Sequence, residues 1–178
     1  MRKYLTVTET AKLVRQDLKK NFPGTKFSVT CDKYAGGASI RVRWSDGPTD
    51  RAMDDVVGIY ASRGFDGMVD YEYHKTAWLM PDGTVTRAYR EDTTGCMGVV
   101  EGCNNPKPHP DAVEVSFGAS YVTTSRDISD QLKQKAREMV AQKWGYTPTD
   151  APDWDQRVEN AGEYLGTLMH RELCQMTA

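Results

Sequence analysis

The chain has 178 residues, of which 39% are hydrophobic, and a formal net charge of −2. This length and composition allow an ordinary buried core, which argues against a disordered chain and favours one domain, or one domain with a small appendage. No stretch approaches the ~20 apolar residues of a transmembrane helix, and the first residues lack the apolar run of a signal peptide. The four widely spaced cysteines are therefore expected to be reduced thiols of a cytoplasmic protein.

Charge is distributed unevenly along the chain. Up to Ser45 there are ten Lys or Arg against three Asp or Glu, which gives a local net charge of +7. Because the whole chain carries −2, the remaining 133 residues carry −9. A basic segment followed by an acidic one indicates a charged or polyanionic partner.

The first predicted element is a helix from Thr6 to Asn21. Thr6 and Glu9 have the spacing of a capping box, in which each side chain hydrogen-bonds the backbone N–H of the other residue. Apolar residues recur on one face of this helix, as expected where a helix packs on a core. A basic stripe runs down the opposite, solvent-facing side and consists of Lys12, Arg15 and Lys19.

Two strands with alternating apolar and polar residues follow this helix, one over Phe27–Asp32 and one over Ile40–Ser45. The intervening Tyr34-Ala35-Gly36-Gly37 can supply the positive φ angles of a tight turn, so we expect an antiparallel hairpin. Its polar face carries Arg41 and Arg43.

A second predicted helix begins after Asp46-Gly47-Pro48-Thr49 and ends at Gly64. The stretch from Met68 to Met80 is rich in aromatic residues and predicts extended structure. Pro81-Asp82-Gly83 then turns the chain into another strand over Val85–Tyr89.

Residues Glu91–Asp111 are rich in Gly, Asn and Pro and predict a long loop, which is a candidate contact region. Alternation returns over Val113–Val122 and predicts a strand with a kink near Gly118. The apolar period then changes to about 3.6 residues, which predicts two C-terminal helices over Ile128–Trp144 and Trp154–Met169.

The predicted fold class is α+β. Its elements run α-β-β-α-β-β-β with a mostly antiparallel sheet, followed by the two C-terminal helices. Residues 1–125 are predicted to form the α+β domain. Residues 126–178 are predicted to form a helical pair that packs on it or makes an interaction appendage.

Three blocks of the first half carry a resemblance to a known family. They are Thr8–Arg15, Phe22–Val29 and Tyr34–Thr49, and Phe65–Asp70 continues the match. The most specific parts are Phe-Pro-Gly at 22–24, Gly-Gly-Ala-Ser-Ile at 36–40 and Trp-Ser-Asp-Gly-Pro at 44–48. Residues 4–75 thus resemble a large polyvalent protein-associated domain of phages and conjugative elements.

The resemblance implies an accessory role beside the effector modules of mobile elements, directed at host defence or at incoming DNA. It supplies no catalytic residues and no cofactor. We therefore expect a non-enzymatic protein that binds a host defence component, in the manner of an anti-restriction or anti-CRISPR protein, or that binds nucleic acid. A dedicated nucleic-acid-binding module and an enzyme of unrecognised type are the alternatives.

The residues expected to contact nucleic acid or a partner protein are basic and solvent-facing, because such side chains neutralise phosphates and release counterions. They are Lys12, Arg15, Lys19, Arg41 and Arg43. The simpler interpretation of the same residues is a solvated helix and sheet surface.

Other reactive side chains indicate chemistry only weakly. Six aspartates could collect a hard cation or present negative charge to a DNA-binding host protein: Asp46, Asp50, Asp54, Asp55, Asp66 and Asp70. A zinc site from Cys96, Cys103 and His109 has spacing wider than that of zinc knuckles. His170 and Cys174 lie four residues apart, as a thiol nucleophile and its base could, but no orienting group accompanies them. The sequence contains no phosphate-binding loop, dinucleotide-binding turn or hydrolase motif.

Overall fold

The computed structural model describes residues 2–67, 70–88 and 105–177. The first part of the fold contains β1 (Lys3–Leu5), α1 (Val7–Asn21), β2 (Ser28–Tyr34), β3 (Gly37–Ser45), α2 (Asp50–Val57) and a 3-10 turn (Gly58–Tyr60). Six strands follow: β4 (Arg63–Asp66), β5 (Tyr71–His74), β6 (Ala77–Leu79), β7 (Val85–Arg87), β8 (Val113–Phe117) and β9 (Tyr121–Asp127). The last elements are α3 (Asp130–Trp144), β10 (Arg157–Val158), β11 (Glu163–Tyr164) and α4 (Leu165–Leu173).

The strands form two larger sheets and two hairpins. One sheet has the order β1-β8-β6-β7 and the other the order β2-β3-β9, while β4 pairs with β5 and β10 with β11. The pairs β1–β8 and β3–β9 are parallel, and the other pairs in the described ranges are antiparallel. The α+β class and the mostly antiparallel pairing are confirmed.

The main core lies between α1, α2 and one face of each larger sheet. Val14 and Leu18 of α1 pack in the same cluster as Ile40, Val42 and Trp44 of β3. Successive strand residues point to opposite faces. The inner face of the β2-β3-β9 sheet is therefore apolar and covered by α1, while its outer face is exposed.

A second, smaller core belongs to the C-terminal part of the chain. Its buried residues come from α3, β10 and α4: Ala136, Val140, Val158, Leu165, Leu168 and Met169. The two C-terminal helices are thus present and share a core. The division of the chain at residues 125 and 126 stays a prediction.

The N-terminal helix and the hairpin agree closely with the sequence patterns. Thr6 is the N-cap of α1, and the reciprocal capping box with Glu9 is present. Strands β2 and β3 pair antiparallel across the predicted turn, in which Gly36 has a φ of 90°.

Several predicted boundaries were wrong. The second helix, α2, ends at Val57 instead of reaching Gly64, which lies in β4. The predicted helix over Trp154–Met169 begins only at Leu165. The residues before it form a small hairpin around Gly162, whose φ of 71° is unfavourable for residues with a side chain.

Gly118 marks the predicted kink, and the chain there passes from β8 into β9 in a different sheet. A Cβ atom at Gly118 would lie 2.6 Å from the backbone nitrogen of Val7 and 2.8 Å from the carbonyl oxygen of Leu5. Only glycine lets the backbone of β1 and α1 approach this closely.

Candidate nucleic-acid interface

The outer face of the β2-β3-β9 sheet is polar and exposed. Arg41 and Arg43 lie on this face, because their neighbours Ile40, Val42 and Trp44 occupy the buried side. The strand register sets each arginine between two hydroxyl side chains: Ser28, Arg43 and Ser125 in one row, and Thr30, Arg41 and Thr123 in the next.

The two arginines differ in their partners. Arg41 forms an ion pair with Asp32, at 3.3 Å, in which both side chains are about half exposed. Arg43 has no ion-pair partner among the residues that the structure describes. Arg43 is therefore the better placed of the two to neutralise a phosphate from outside.

The basic stripe of α1 lies on a different side of the sheet. Lys12, Arg15 and Lys19 are exposed as predicted, but α1 covers the inner face while Arg41 and Arg43 project from the outer face. The five predicted residues hence do not form one flat patch. Arg15 reaches the sheet edge, where its Nη2 donates a hydrogen bond to the carbonyl oxygen of Val29 at 2.7 Å.

Two clefts at the start of β2 connect these sides. The helix cleft, of about 260 Å³, is lined by Arg15, Lys19, Phe27 and their neighbours. The sheet cleft, of about 380 Å³, is lined by Lys26, Arg43 and again Phe27. Four basic residues thus line two clefts that share one aromatic residue at the edge of the sheet. Lys12 and Arg41 lie outside both linings.

Phe27 is held by aromatic neighbours. Its ring centroid lies 6.1 Å from that of Phe22 and 6.3 Å from that of Trp44. The buried indole N–H of Trp44 in turn donates to the carbonyl oxygen of Pro48 at 2.9 Å. The wall shared by the two clefts is therefore a half-buried ring packed against the main core.

Lys26 was missed as a site residue. It counts toward the basic segment, but it follows the Phe22-Pro23-Gly24 helix stop and belongs to neither the helix stripe nor the strand alternation. The turn at Phe22-Pro23-Gly24 brings the end of α1 next to the start of β2, and Lys26 lies between them. This position is the sequence signal that could have identified Lys26.

Acidic groups near the clefts mostly have structural partners. The carboxylate of Asp17, on α1, accepts a hydrogen bond of 2.6 Å from the buried Tyr60 hydroxyl. Asp46 accepts one of 2.8 Å from the Ser129 backbone N–H, which lowers the pKa of that carboxyl. Asp127 lines the sheet cleft and offsets part of its positive charge.

The weaker candidates do not assemble into a site within the described ranges. There, no three His, Cys, Asp or Glu side chains converge so as to hold a metal ion. Asp54 instead accepts a hydrogen bond from the Thr124 hydroxyl at 3.0 Å. The Nε2 atom of His170 lies 3.7 Å from the Cys174 sulfur, at an exposed helix end.

Parts of two hypotheses lie outside the described residues. These are Cys96 and Cys103 of the zinc hypothesis, and the predicted loop over Glu91–Asp111 as far as residue 104. In the described rest of that loop, the Nδ1 atom of His109 lies 3.9 Å from the Oδ2 atom of Asp111.

Residues 5–129 match the family model of large polyvalent protein associated domain 29. The chain belongs to this family. The match runs from the last residue of β1 through β9, and so includes both clefts and the whole outer face of the β2-β3-β9 sheet. Membership in this family associates the chain with phages and other mobile elements.

No curated protein and no solved structure matches the chain. No helix in the described ranges is long and apolar enough to cross a membrane.

Proposed function

We propose that this member of the family is a non-enzymatic accessory protein of a mobile element that binds nucleic acid in the cytoplasm of its host. The contact site is the cleft pair at the start of β2. The observation that carries the proposal is the grouping of four cations around Phe27: Arg15, Lys19, Lys26 and Arg43.

The charges of these four cations are available to an external anion. None of the four cations has a carboxylate within ion-pair distance among the described residues. Each can therefore neutralise a phosphate and release a counterion without first breaking a salt bridge. The hydroxyl rows beside Arg43 add neutral donors of the kind that commonly contact phosphate oxygens.

A salt series with a paired charge control tests the proposal. The variant Lys26→Gln with Arg43→Gln removes two cations from the sheet cleft. The control, Lys133→Gln with Arg157→Gln, removes two exposed cations from the C-terminal part. Binding of labelled DNA and RNA is measured from 50 to 300 mM salt.

The cleft variant is expected to reduce the slope of log affinity against log salt by about 1 to 2, because each lost phosphate contact contributes about 0.7 to 0.9. The control is expected to keep the slope of the wild type. No binding by the wild type near 50 mM salt, or equal losses in both variants, would reject the site.

Binding of a host defence protein, of the anti-restriction or anti-CRISPR type, is the second candidate. It is favoured by the β4–β5 hairpin, where Phe65 is 63% exposed and Tyr71 is 49% exposed. Exposed aromatic side chains are common anchors of protein interfaces. Failure of the wild type to bind nucleic acid would leave this hairpin as the leading contact region.

A further inference from the structure

We propose that the bound nucleic acid is single-stranded and that its bases stack on Tyr4 and Tyr34. This inference rests on the proposed function and names its substrate class. It starts from the tyrosine cleft, a separate cavity of about 370 Å³ between β1 and the β2–β3 turn, lined by Tyr4, Lys33, Tyr34 and the backbone around Gly37 and Gly118.

The two tyrosines leave large aromatic surfaces in water. Tyr4 is 65% exposed and Tyr34 is 49% exposed, although both line the same cleft. Aromatic rings otherwise dominate protein cores, so two of them beside one open cavity indicate a flat, apolar ligand surface.

The ring of Tyr34 is supported from one side. A Cβ atom at Gly37 would lie 3.1 Å from Cε2 and from the hydroxyl oxygen of Tyr34, so the ring lies against the bare backbone of this glycine. About half of the residue remains open to solvent. A ring held along one edge, in a residue that is about half exposed, can stack on a base with little loss of side-chain entropy.

Charge in the tyrosine cleft suits a phosphodiester. Lys33 is the charged side chain among the described residues that line it, and no described carboxylate does so. A nucleobase on the tyrosines would thus place its phosphate within reach of Lys33, in a lining that has no described carboxylate.

The tyrosine cleft and the sheet cleft lie at opposite ends of β2. Ser28 lines the sheet cleft and Tyr34 the tyrosine cleft, which are the two ends of a seven-residue strand. At about 3.3 Å per residue the two ends are roughly 20 Å apart. One extended strand of nucleic acid can therefore follow β2, with phosphates at Arg43 and Lys26 and bases at Tyr34 and Tyr4. A duplex hides the faces of its bases and cannot stack in this way.

The experiment compares three labelled probes on the full chain: a 20-nucleotide oligo-dT, an abasic oligonucleotide of the same length, and a mixed-sequence duplex. The variants are Tyr4→Leu and Tyr34→Leu, which remove the rings but keep apolar bulk. The control is Tyr164→Leu, since Tyr164 is 51% exposed but lies outside the tyrosine cleft. Tyr34→Phe keeps the ring and is expected to keep the affinity.

We expect oligo-dT to bind more tightly than the abasic strand. Each leucine variant in the cleft is expected to weaken oligo-dT binding by about 5- to 100-fold, in line with the loss of one stacked base. The salt slope stays unchanged, because no charge is removed. The control and the abasic strand show no such loss.

The outcomes separate the two proposals. Equal binding of oligo-dT and the abasic strand with a steep salt dependence overturns the stacking site but leaves the proposed function intact. Preference for duplex over oligo-dT does the same. No binding of any probe overturns both. The comparison of probes on the wild type is independent of whether a variant folds.

Discussion

The pair of Tyr60 and Asp17 shows how one buried residue stabilises the basic helix. Tyr60 has no exposed surface, its ring centroid lies 5.1 Å from that of Phe117, and its hydroxyl donates to Asp17 at 2.6 Å. Burial, and then the neighbouring carboxylate, raise the pKa of Tyr60 far above its ordinary value near 10. The hydroxyl therefore stays protonated wherever the fold is stable.

The substitution Tyr60→Phe is expected to lower the free energy of unfolding at pH 7.5 by about 1 to 2 kcal/mol. The substitution removes the hydrogen bond from the Tyr60 hydroxyl to the charged Asp17 carboxylate. Because Asp17 is half-buried, hydrogen bonds to water replace only part of that stabilisation. Urea denaturation followed by circular dichroism measures the change.

The pH dependence gives a second readout of the same substitution. A folded-state pKa above the unfolded one means that the stabilisation is complete below about pH 10 and is lost as the pH rises further. The difference between wild type and Tyr60→Phe should therefore shrink at pH 10.5. Tyr164→Phe, at an exposed position, should change neither value. A Tyr60→Phe protein as stable as the wild type at pH 7.5 would contradict this account.

The capping box at the start of α1 stabilises that helix. The Thr6 N–H and hydroxyl donate to the Glu9 carboxylate at 2.8 and 2.7 Å, and the Glu9 N–H donates to the Thr6 hydroxyl at 3.3 Å. Bonds from the side chain and then the backbone of Thr6 hold the pKa of Glu9 below its ordinary value of 4.5. This arrangement fixes the first turn of the helix that carries the basic stripe.

We expect Thr6→Ala to destabilise the protein by about 1 kcal/mol at pH 7, which is typical of a lost N-cap. Because the pKa of Glu9 is lowered by folding, its contribution is present above about pH 4.5 and is lost as the pH falls further. The gap in melting temperature between wild type and variant should thus narrow from pH 7 to pH 3. The control is Thr8→Ala. Thr8 is the exposed second residue of the same helix, and its substitution should leave the melting temperature nearly unchanged.

The elements that the sequence predicted well are those defined by neighbours in the chain. The α1 helix has its cap at Thr6, and the β2–β3 hairpin has its turn at Gly36, so both carry their own boundary signals. The parallel pairing of β3 with β9 places Arg43 opposite Ser125. No local sequence pattern predicts this pairing, because the two strands are far apart in the chain. The apolar spacing over Trp154–Met169 predicts a helix where the structure has the short β10–β11 hairpin, which turns at Gly162.

The sequence predicts only part of the candidate site, because local patterns show which residues are exposed but not which surfaces they share. Helical spacing correctly placed Lys12, Arg15 and Lys19 on one exposed stripe, and strand alternation correctly exposed Arg41 and Arg43. Neither pattern shows which sheet face a helix covers, so the separation of the two sets needed tertiary structure. Only Arg15, Lys19 and Arg43 of the predicted residues line the clefts that share Phe27, and this placement depends on the turn between α1 and β2, which periodicity does not describe. Their role in binding stays a prediction.

In the molecule as a whole, Arg126 links the loop after β3 to the C-terminal segment. From the end of β9 its guanidinium donates to the carbonyl oxygens of Asp46 at 2.6 Å and Gly47 at 3.3 Å. It also donates to that of Leu173, the last residue of α4, at 2.9 Å and to that of Met176, just beyond the helix, at 2.7 Å. Carbonyls at a helix end lack partners within the helix, so one cation satisfies them and favours the negative end of the helix dipole.

Replacing Arg126 with Lys is therefore expected to loosen the C-terminal part more than the N-terminal part. Lysine keeps the positive charge, but its ammonium group cannot reach four carbonyl oxygens as the planar guanidinium does. The lost hydrogen bonds should lower the free energy of unfolding by about 1.5 to 3 kcal/mol. Hydrogen exchange followed by mass spectrometry should show faster exchange over residues 165–176, with α1 nearly unchanged. Arg157→Lys is the control, since its contact is a long, exposed one of 3.9 Å to Glu159. Equal acceleration in α1 and α4 would mean that the chain unfolds as one unit, and unchanged protection of α4 would mean that Arg126 does not hold it.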